Sequence, residues 1–406
     1  MKERIMTNSV KITNCYACGS GHLEEILDLN DQPLANSYLA SADEEEETYP
    51  LKINLCNDCY HVQLTDQVNP DLLYKNYLYV SGTTQTARDY FKWFADFCLE
   101  KFSGQPKSVL DIGCNDGSQL DAFKELGLET IGIDPAENLH GLSSVNHRVY
   151  CKYFDASFKE TADIITAQNV FAHNYDPLGF LRLCSQALNP GGLIFIQTSQ
   201  ANMILNNEFD TIYHEHLSFY NAQSMSFLCE RAGLNLVDVV KTPMHGTSYL
   251  FVISREQSQP STLKNIIKLE AANGLYQPDT YYRYAENCRQ IAVKFSDEVA
   301  KAREQGYAVI GYGAPAKGNT FLNFADVQLD VIIDDNKMKQ GLFTPGTRIP
   351  IVSVDILNNY SDDDKIMFIP LAWNFFDEIK SRISAVRSNT NDRFMRYFPV
   401  IEISSN

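Results

Sequence analysis

Basic charge is what this sequence is short of: 34 Lys and Arg stand against 51 Asp and Glu in 406 residues, a net charge of −17. A surface that acidic repels phosphate backbones and anionic headgroups, so neither nucleic acid nor a membrane is the expected partner. No apolar run approaches the roughly 20 residues that cross a bilayer. Residues 1–14 contain no apolar stretch of the secretory kind, and a cytoplasmic protein is expected. No internal repeat and no heptad pattern announces an assembly, which leaves a monomer as the default. What is present is ordinary for a globular chain, 44% hydrophobic and 21% charged. The length exceeds one core and predicts two or three packed units.

The ten cysteines are not spread as a disulfide framework. Six (Cys98, Cys114, Cys151, Cys184, Cys229, Cys288) stand singly and are expected as small buried thiols. The other four form two pairs, Cys15-Tyr-Ala-Cys18 and Cys56-Asn-Asp-Cys59. Two such knuckles supply four thiolates, the complete tetrahedral set of a structural Zn2+ site with no position left open for chemistry. A redox dithiol is the alternative, but it calls for a single pair beside a βαβ unit. Between the pairs, Asp43 to Glu47 is expected as a solvated acidic loop.

Three units are expected: a zinc-binding head over 1–68, an α/β unit with a helical lead-in over 69–255, and a second α/β unit over 256–406. In the middle unit the runs SVLDIG, TIGIDP, DIITAQNV, GLIFIQT and SYLFVIS alternate with amphipathic stretches, the pattern of a mostly parallel sheet. Residues 256–270, with Gln, Ser and Pro, read as a linker to a long helix ending near Glu304. YAVIGYGA, DVIIDDN, IPIVSV and KIMFIPLAWN then repeat the α/β pattern.

Val109-Leu-Asp-Ile-Gly-Cys-Asn-Asp-Gly117 reads as a strand, an acid and a tight glycine turn opening a helix. Asn115-Asp116 interrupts any dinucleotide fingerprint, and Asp111 and Asp116 repel a pyrophosphate. A cationic ligand with a ribose and an amino acid end suits them, which points to S-adenosylmethionine (SAM). Asp134 ends the next strand where ribose hydroxyls are held. Gln168 and Asn169 close another strand, and Gly113 permits close backbone approach.

Tyr213-His214-Glu215-His216 packs two imidazoles, a carboxylate and a phenol together. The spacing is not that of a helical zinc protease motif; a metal site is the lesser alternative, and an acid/base cluster the more economical one. His173 is expected at the same carboxyl edge of the sheet, where open α/β sheets bind ligands. In the last unit, Gly311-Tyr-Gly-Ala-Pro-Ala316 followed by Asp334 and Asp335 fits a Rossmann fingerprint, so an NAD-dependent oxidoreductase is the first rival. Pro315 removes an N–H from that turn and Lys317 adds a cation, features that suit a sugar-nucleotide diphosphate better. A non-catalytic zinc scaffold and an O- or N-methyltransferase complete the alternatives.

On both knuckles, DIGCNDG, Asn169-Val-Phe-Ala-His173, Tyr213-His-Glu-His216, Gly311-Tyr-Gly-Ala-Pro-Ala-Lys-Gly-Asn319, Pro345-Gly-Thr347 and Leu371-Ala-Trp-Asn374, the sequence resembles the deoxysugar C-methyltransferases. It resembles above all those acting at C-3′ of thymidine-diphosphate 4-keto-6-deoxysugars. The resemblance implies a SAM-dependent Rossmann-like fold with a zinc-binding head and a second Rossmann-like unit. It implies that a base removes the proton beside the keto group and that the resulting carbanion takes the methyl group. His216 is implied as that base, with Tyr213, Glu215 and His173 lining the sugar, and Tyr79, His214, Lys317 and Asn319 at the sugar nucleotide. One departure stands out: Tyr249 occupies a place where a Gly-Gly-Ser segment with a basic residue is expected.

Overall fold

A computed structural model describes residues 8–73, 82, 85–198, 201–243, 247–256 and 261–405. In the head, β1 (Ser9–Lys11) pairs with β5 (Asp66–Val68), while β2 (Leu23–Pro33), β3 (Thr48–Cys56) and β4 (Val62–Leu64) form an antiparallel sheet. The apolar residues Leu51, Ile53 and Leu55 recur at period two along β3 and are all buried.

The middle sheet contains β6 (Ser108–Ile112), β7 (Glu129–Ile133), β8 (Arg148–Tyr150), β9 (Ala162–Gln168), β10 (Leu188–Thr198), β12 (Asn235–Thr242) and β13 (Ser248–Ser254); β11 (Ser218–Phe219) lies apart from it. The order is β12-β13-β10-β9-β6-β7-β8, parallel except where β13 runs against both neighbours. The glycine turn before Leu193 is a break in register within β10. Alternate residues serve opposite faces: Val109, Ile164, Phe195 and Val252 pack under helix Gln85–Lys101. Leu110, Ile165, Ile194 and Phe251 pack with helices Pro177–Ala187 and Ala222–Arg231, and with the cysteines of the head.

Residues 256–270 are not a simple linker. Ser261–Ala272 is a helix, because Leu263, Ile266, Ile267 and Glu270 fall on one helical face, which packs on the middle sheet. Gln257, Ser258, Gln259 and Pro260, which suggest a linker, lie outside the described residues, before the helix begins. The acidic loop is likewise only partly solvated. Gly346 N–H donates to Glu46 at 3.0 Å, and the Arg348 guanidinium lies 3.6 Å from the same carboxylate.

The last sheet holds β14 (Tyr307–Tyr312), β15 (Val331–Ile333), β16 (Ile351–Val352), β17 (Lys365–Pro370), β18 (Arg393–Arg396) and β19 (Glu402–Ser405), ordered β16-β15-β14-β17-β18-β19. All neighbours are parallel except β18 and β19. The architecture is therefore the expected one, two Rossmann-like α/β sheets with a small antiparallel head. No helix among the described residues is long and apolar enough to cross a membrane.

Helix Pro278–Glu304 joins the units. Its 27 residues span about 40 Å, and its buried stripe of Tyr281, Tyr284, Cys288, Phe295 and Val299 enters one core with the head and the last sheet. Within that core Phe321 touches Phe295 (4.7 Å between ring centres), Tyr397 (4.1 Å) and Phe209 (5.4 Å). Phe321→Ala is expected to destabilise the fold by roughly 3–5 kcal/mol, measured by urea unfolding followed by far-ultraviolet circular dichroism.

Candidate active site and metal centre

The four paired cysteines converge. Their sulfurs all lie within 4.8 Å of one another, and among the described residues no other group of three or more metal-ligating side chains does so. Cys15 Sγ is 3.6 Å from Cys59 Sγ, and Cys18 Sγ is 3.5 Å from Cys56 Sγ. Thiolates held about 2.3 Å from a tetrahedral zinc stand about 3.8 Å apart, so the quartet fits the ion closely. Positive φ at Gly19 (85°) and Tyr60 (58°) turns each knuckle back on itself. The Arg231 guanidinium donates to the carbonyls of Ala17 (2.7 Å) and Tyr16 (3.2 Å), tying the first knuckle to helix Ala222–Arg231.

At the carboxyl edge of the middle sheet, Gly113 has φ 76° and its N–H donates to Ile133. A Cβ there would come within 2.4 Å of Val170 Cγ2, so only glycine keeps the turn against that strand end. Asp134 accepts from Asn115 N–H at 2.9 Å and Ala136 N–H at 2.8 Å, which fixes its carboxylate at the strand end. Asp116 accepts from Gly82 N–H at 2.9 Å and Ser118 N–H at 3.1 Å. Asn169 is left-handed (φ 55°), and its side-chain oxygen is buried without a hydrogen-bond partner. An orphaned acceptor beside a glycine turn is what a bound ligand donor satisfies, so these residues fit SAM. Asp111 instead faces inward, accepting from Thr166 Oγ1 at 2.7 Å and Gln119 Nε2 at 3.0 Å. Burial pushes its carboxyl up to about 7. Gln119 in turn pairs with Gln168.

The His-rich segment lies between the three units. It runs from the turn Phe209–Thr211 into β11, which adds to the edge of the head sheet beside β4. His216 Nδ1 is 2.8 Å from the Thr211 carbonyl, which makes Nδ1 the protonated nitrogen. Nε2 then carries the lone pair, and the Tyr213 hydroxyl donates to it at 2.9 Å. The His173 ring meets that of His216 edge-on, 4.9 Å between centres. His173 Nδ1 lies 4.0 Å from Glu215 Oε2, but the two are not an ion pair. Burial pushes the His173 imidazole down to about 4 and the Glu215 carboxyl up to about 7. At neutral pH the imidazole is uncharged and the carboxyl is about half protonated.

His214 points the other way, into the head, with Nε2 3.3 Å from the Tyr49 carbonyl. Lys317 lies over the Trp373 ring at 5.7 Å, and Asn319 donates to the Ala35 carbonyl at 2.8 Å. Tyr79 lies outside the described residues. Tyr249 is buried, its hydroxyl donating to Glu270 at 2.6 Å. In the last sheet, Asp334 accepts from the Ala314 N–H of its own glycine turn at 2.7 Å, and Asp335 is held by Tyr312 and Arg382. Asp334 is held by the backbone of its turn in the same way as Asp134 in the middle sheet.

Asn36 was not singled out from the sequence. Exposed on a loop of the head, it donates from Nδ2 to Glu215 Oε1 at 2.6 Å. Nothing local marks it; only the fold brings residue 36 to residue 215.

Family models describe residues 15–74 as a zinc binding domain, 84–239 as a methyltransferase domain and 243–399 as a C-methyltransferase C-terminal domain. The chain is 28% identical to the C-methyltransferase NovU of Streptomyces niveus over 387 residues, 91% of each chain. A ubiquinone biosynthesis O-methyltransferase of Rhizobium johnstonii is 32% identical over 128 residues, 27% of this chain and 52% of that one. Among solved structures, a SAM-dependent methyltransferase from Clostridium acetobutylicum matches at 15% identity and a TM-score of 0.34, over 42% of this chain and 93% of that one.

Two outcomes check this geometry. Metal analysis should return about one zinc per chain, lost together with thermal stability when Cys56 and Cys59 are changed to Ser. Asn36→Ala removes the hydrogen bond that favours the Glu215 carboxylate, so its titration midpoint should move upward from about 7. The carboxyl stretch absent from Glu215→Gln reads it by infrared difference spectroscopy.

Proposed function

The chain belongs to the C-methyltransferases, and from that premise we propose that its acceptor is a nucleotide-linked 4-keto-6-deoxysugar, methylated at C-3′. The activity class is SAM-dependent carbon methylation; the substrate, the carbon and the residue roles that follow are our assignment. The observation that carries it is the buried convergence of His216, Tyr213, His173 and Glu215 at the edge where the SAM turn also ends.

A carbon beside a ketone becomes a nucleophile when a base takes its proton and a donor meets the oxygen that gains charge. His216 is the base. Its Nδ1–H is held by the Thr211 carbonyl, so Nε2 receives the proton, directly or through the Tyr213 hydroxyl that caps it. Glu215, whose carboxyl burial shifts toward the protonated form, donates to the enolate oxygen together with His173. Neutral groups suit this task, because a fixed carboxylate at that place would oppose the developing negative charge. SAM supplies the electrophilic methyl group.

Gly113, Asp116, Asp134, Gln168 and Asn169 hold the cofactor, with Asp111 orienting Gln119 behind them. Lys317 and Asn319 serve the diphosphate end of the sugar nucleotide, and Tyr79 and His214 belong to the same acceptor assignment. The domain limits 1–68, 69–255 and 256–406 are proposed with it, although helix Ser261–Ala272, beyond the second limit, packs on the middle sheet. Pro315 in the glycine turn and Lys317 beside it favour a sugar nucleotide over NAD at the last sheet.

A panel of nucleoside-diphosphate 4-keto-6-deoxysugars with methyl-labelled SAM, read by mass spectrometry and NMR, tests the assignment. Label is expected at C-3′ of a thymidine-linked sugar; label on oxygen or nitrogen refutes it. His216→Ala should lower transfer by about 10²–10⁴-fold, and NADH should show no saturable binding by calorimetry.

A further inference from the structure

We infer that Asp210 is a positioning residue for His216, through which the C-terminal sheet sets the tautomer of the base. Asp210 lies in the turn Phe209–Thr211 and is fully buried. Its Oδ2 accepts the indole N–H of Trp373 at 2.7 Å, and its Oδ1 has no hydrogen-bond partner. Trp373 begins the turn Trp373–Phe375 that follows β17, and Lys317 lies over its ring. The next residue after Asp210 is Thr211, whose carbonyl receives His216 Nδ1–H at 2.8 Å and whose hydroxyl lies 3.4 Å from the same nitrogen.

A buried carboxylate with one specific hydrogen bond is a poor stabiliser, since apolar side chains of similar volume usually do as well or better there. What the pair does supply is a fixed position for the backbone immediately before Thr211. Any displacement of Asp210 carries the Thr211 carbonyl with it, and His216 then loses the acceptor that keeps the proton on Nδ1. With the proton on Nε2 the ring presents a donor where the reaction needs a lone pair. The indole of the last sheet therefore acts on the base of the middle unit through two consecutive residues. The role of His216 as base belongs to the proposed function, on which this inference rests.

Long-range proton–nitrogen NMR of deuterated, histidine-labelled protein reads the tautomer without substrate, with His216 assigned by its loss in His216→Gln. Wild type should show a single Nδ1–H form, and Trp373→Phe a mixture of both. In methyl transfer Trp373→Phe should lower kcat by at least about tenfold while KM for the sugar nucleotide stays within about twofold. Asp210→Asn retains an acceptor for the indole and should keep the wild-type tautomer and most of the turnover; Asp210→Ala should lose both. An unchanged tautomer and kcat in Trp373→Phe overturns the inference, even if Asp210→Ala fails to fold. So does an Asp210→Asn protein that behaves like Asp210→Ala, because charge rather than the indole bond would then be at work. If wild type transfers methyl to no sugar of the panel, the substrate assignment fails and the tautomer result still decides for or against Asp210.

Discussion

Residues 209–219 contain only a single turn and a two-residue strand, yet all but Tyr213 are buried. Buried backbone and side-chain polar groups must be paired, and a segment this irregular cannot pair them within itself. The pairing comes from outside it. Ser218 and Phe219 join the head sheet, Ala172 accepts from Leu217 N–H, Asn36 reaches Glu215, and Trp373 reaches Asp210. The segment is thus shaped by all three units at once. That is why the two α/β sheets and the zinc head have to pack against one another.

The same burial sets the chemistry. Desolvation moves imidazoles and carboxyls in opposite directions, each toward its uncharged form. Around His216 it acts on His173 and Glu215 together, with Asn36 pulling Glu215 part of the way back. A solvated version of the same residues would contain a carboxylate and an imidazole near its ordinary range, a poor setting for the enolate of the proposed function. Among the described residues, the cluster is buried or half-buried where the three units meet.

Local signals in the sequence were read correctly as local structure. The cysteine pairs converge, the glycine turn at Gly113 closes on the strand end at Val170, and strand periodicity assigns residues to the two faces of the middle sheet. Leu263, Ile266, Ile267 and Glu270 carry the helical period of 261–272, but Gln257-Ser258-Gln259-Pro260 immediately before it gives the stretch the composition of a linker. Direction within the His cluster was also out of reach. His214 and His216 are two residues apart, but the chain rises out of a turn there rather than following a regular helix or strand. One imidazole therefore faces the head and the other faces His173. Asn36 carries no local signal, and Trp373 stands in the string Leu371-Ala-Trp-Asn374 with nothing there to show its partner. Their importance lies in partners 179 and 163 residues away, and no periodicity or spacing encodes such pairs.

The zinc head takes on a larger part in this arrangement than holding a small sheet together. Asn36 sits on the loop that follows β2, and that loop is fastened along its length to the last sheet. Asn319 donates to Ala35, Tyr38 donates to the Ala314 carbonyl at 2.5 Å, and Leu39 exchanges backbone hydrogen bonds with Phe343. The head holds one end of this loop through the knuckles, and the glycine turn of the last sheet holds the other. The strands β2, β3 and β4 share one core with the long helix and the last sheet, so the metal knuckles close the end of the head sheet while that core and the loop's own bonds keep Asn36 beside Glu215. On the proposed function, the head and the last sheet together hold the loop that brings Asn36 to the Glu215 carboxyl.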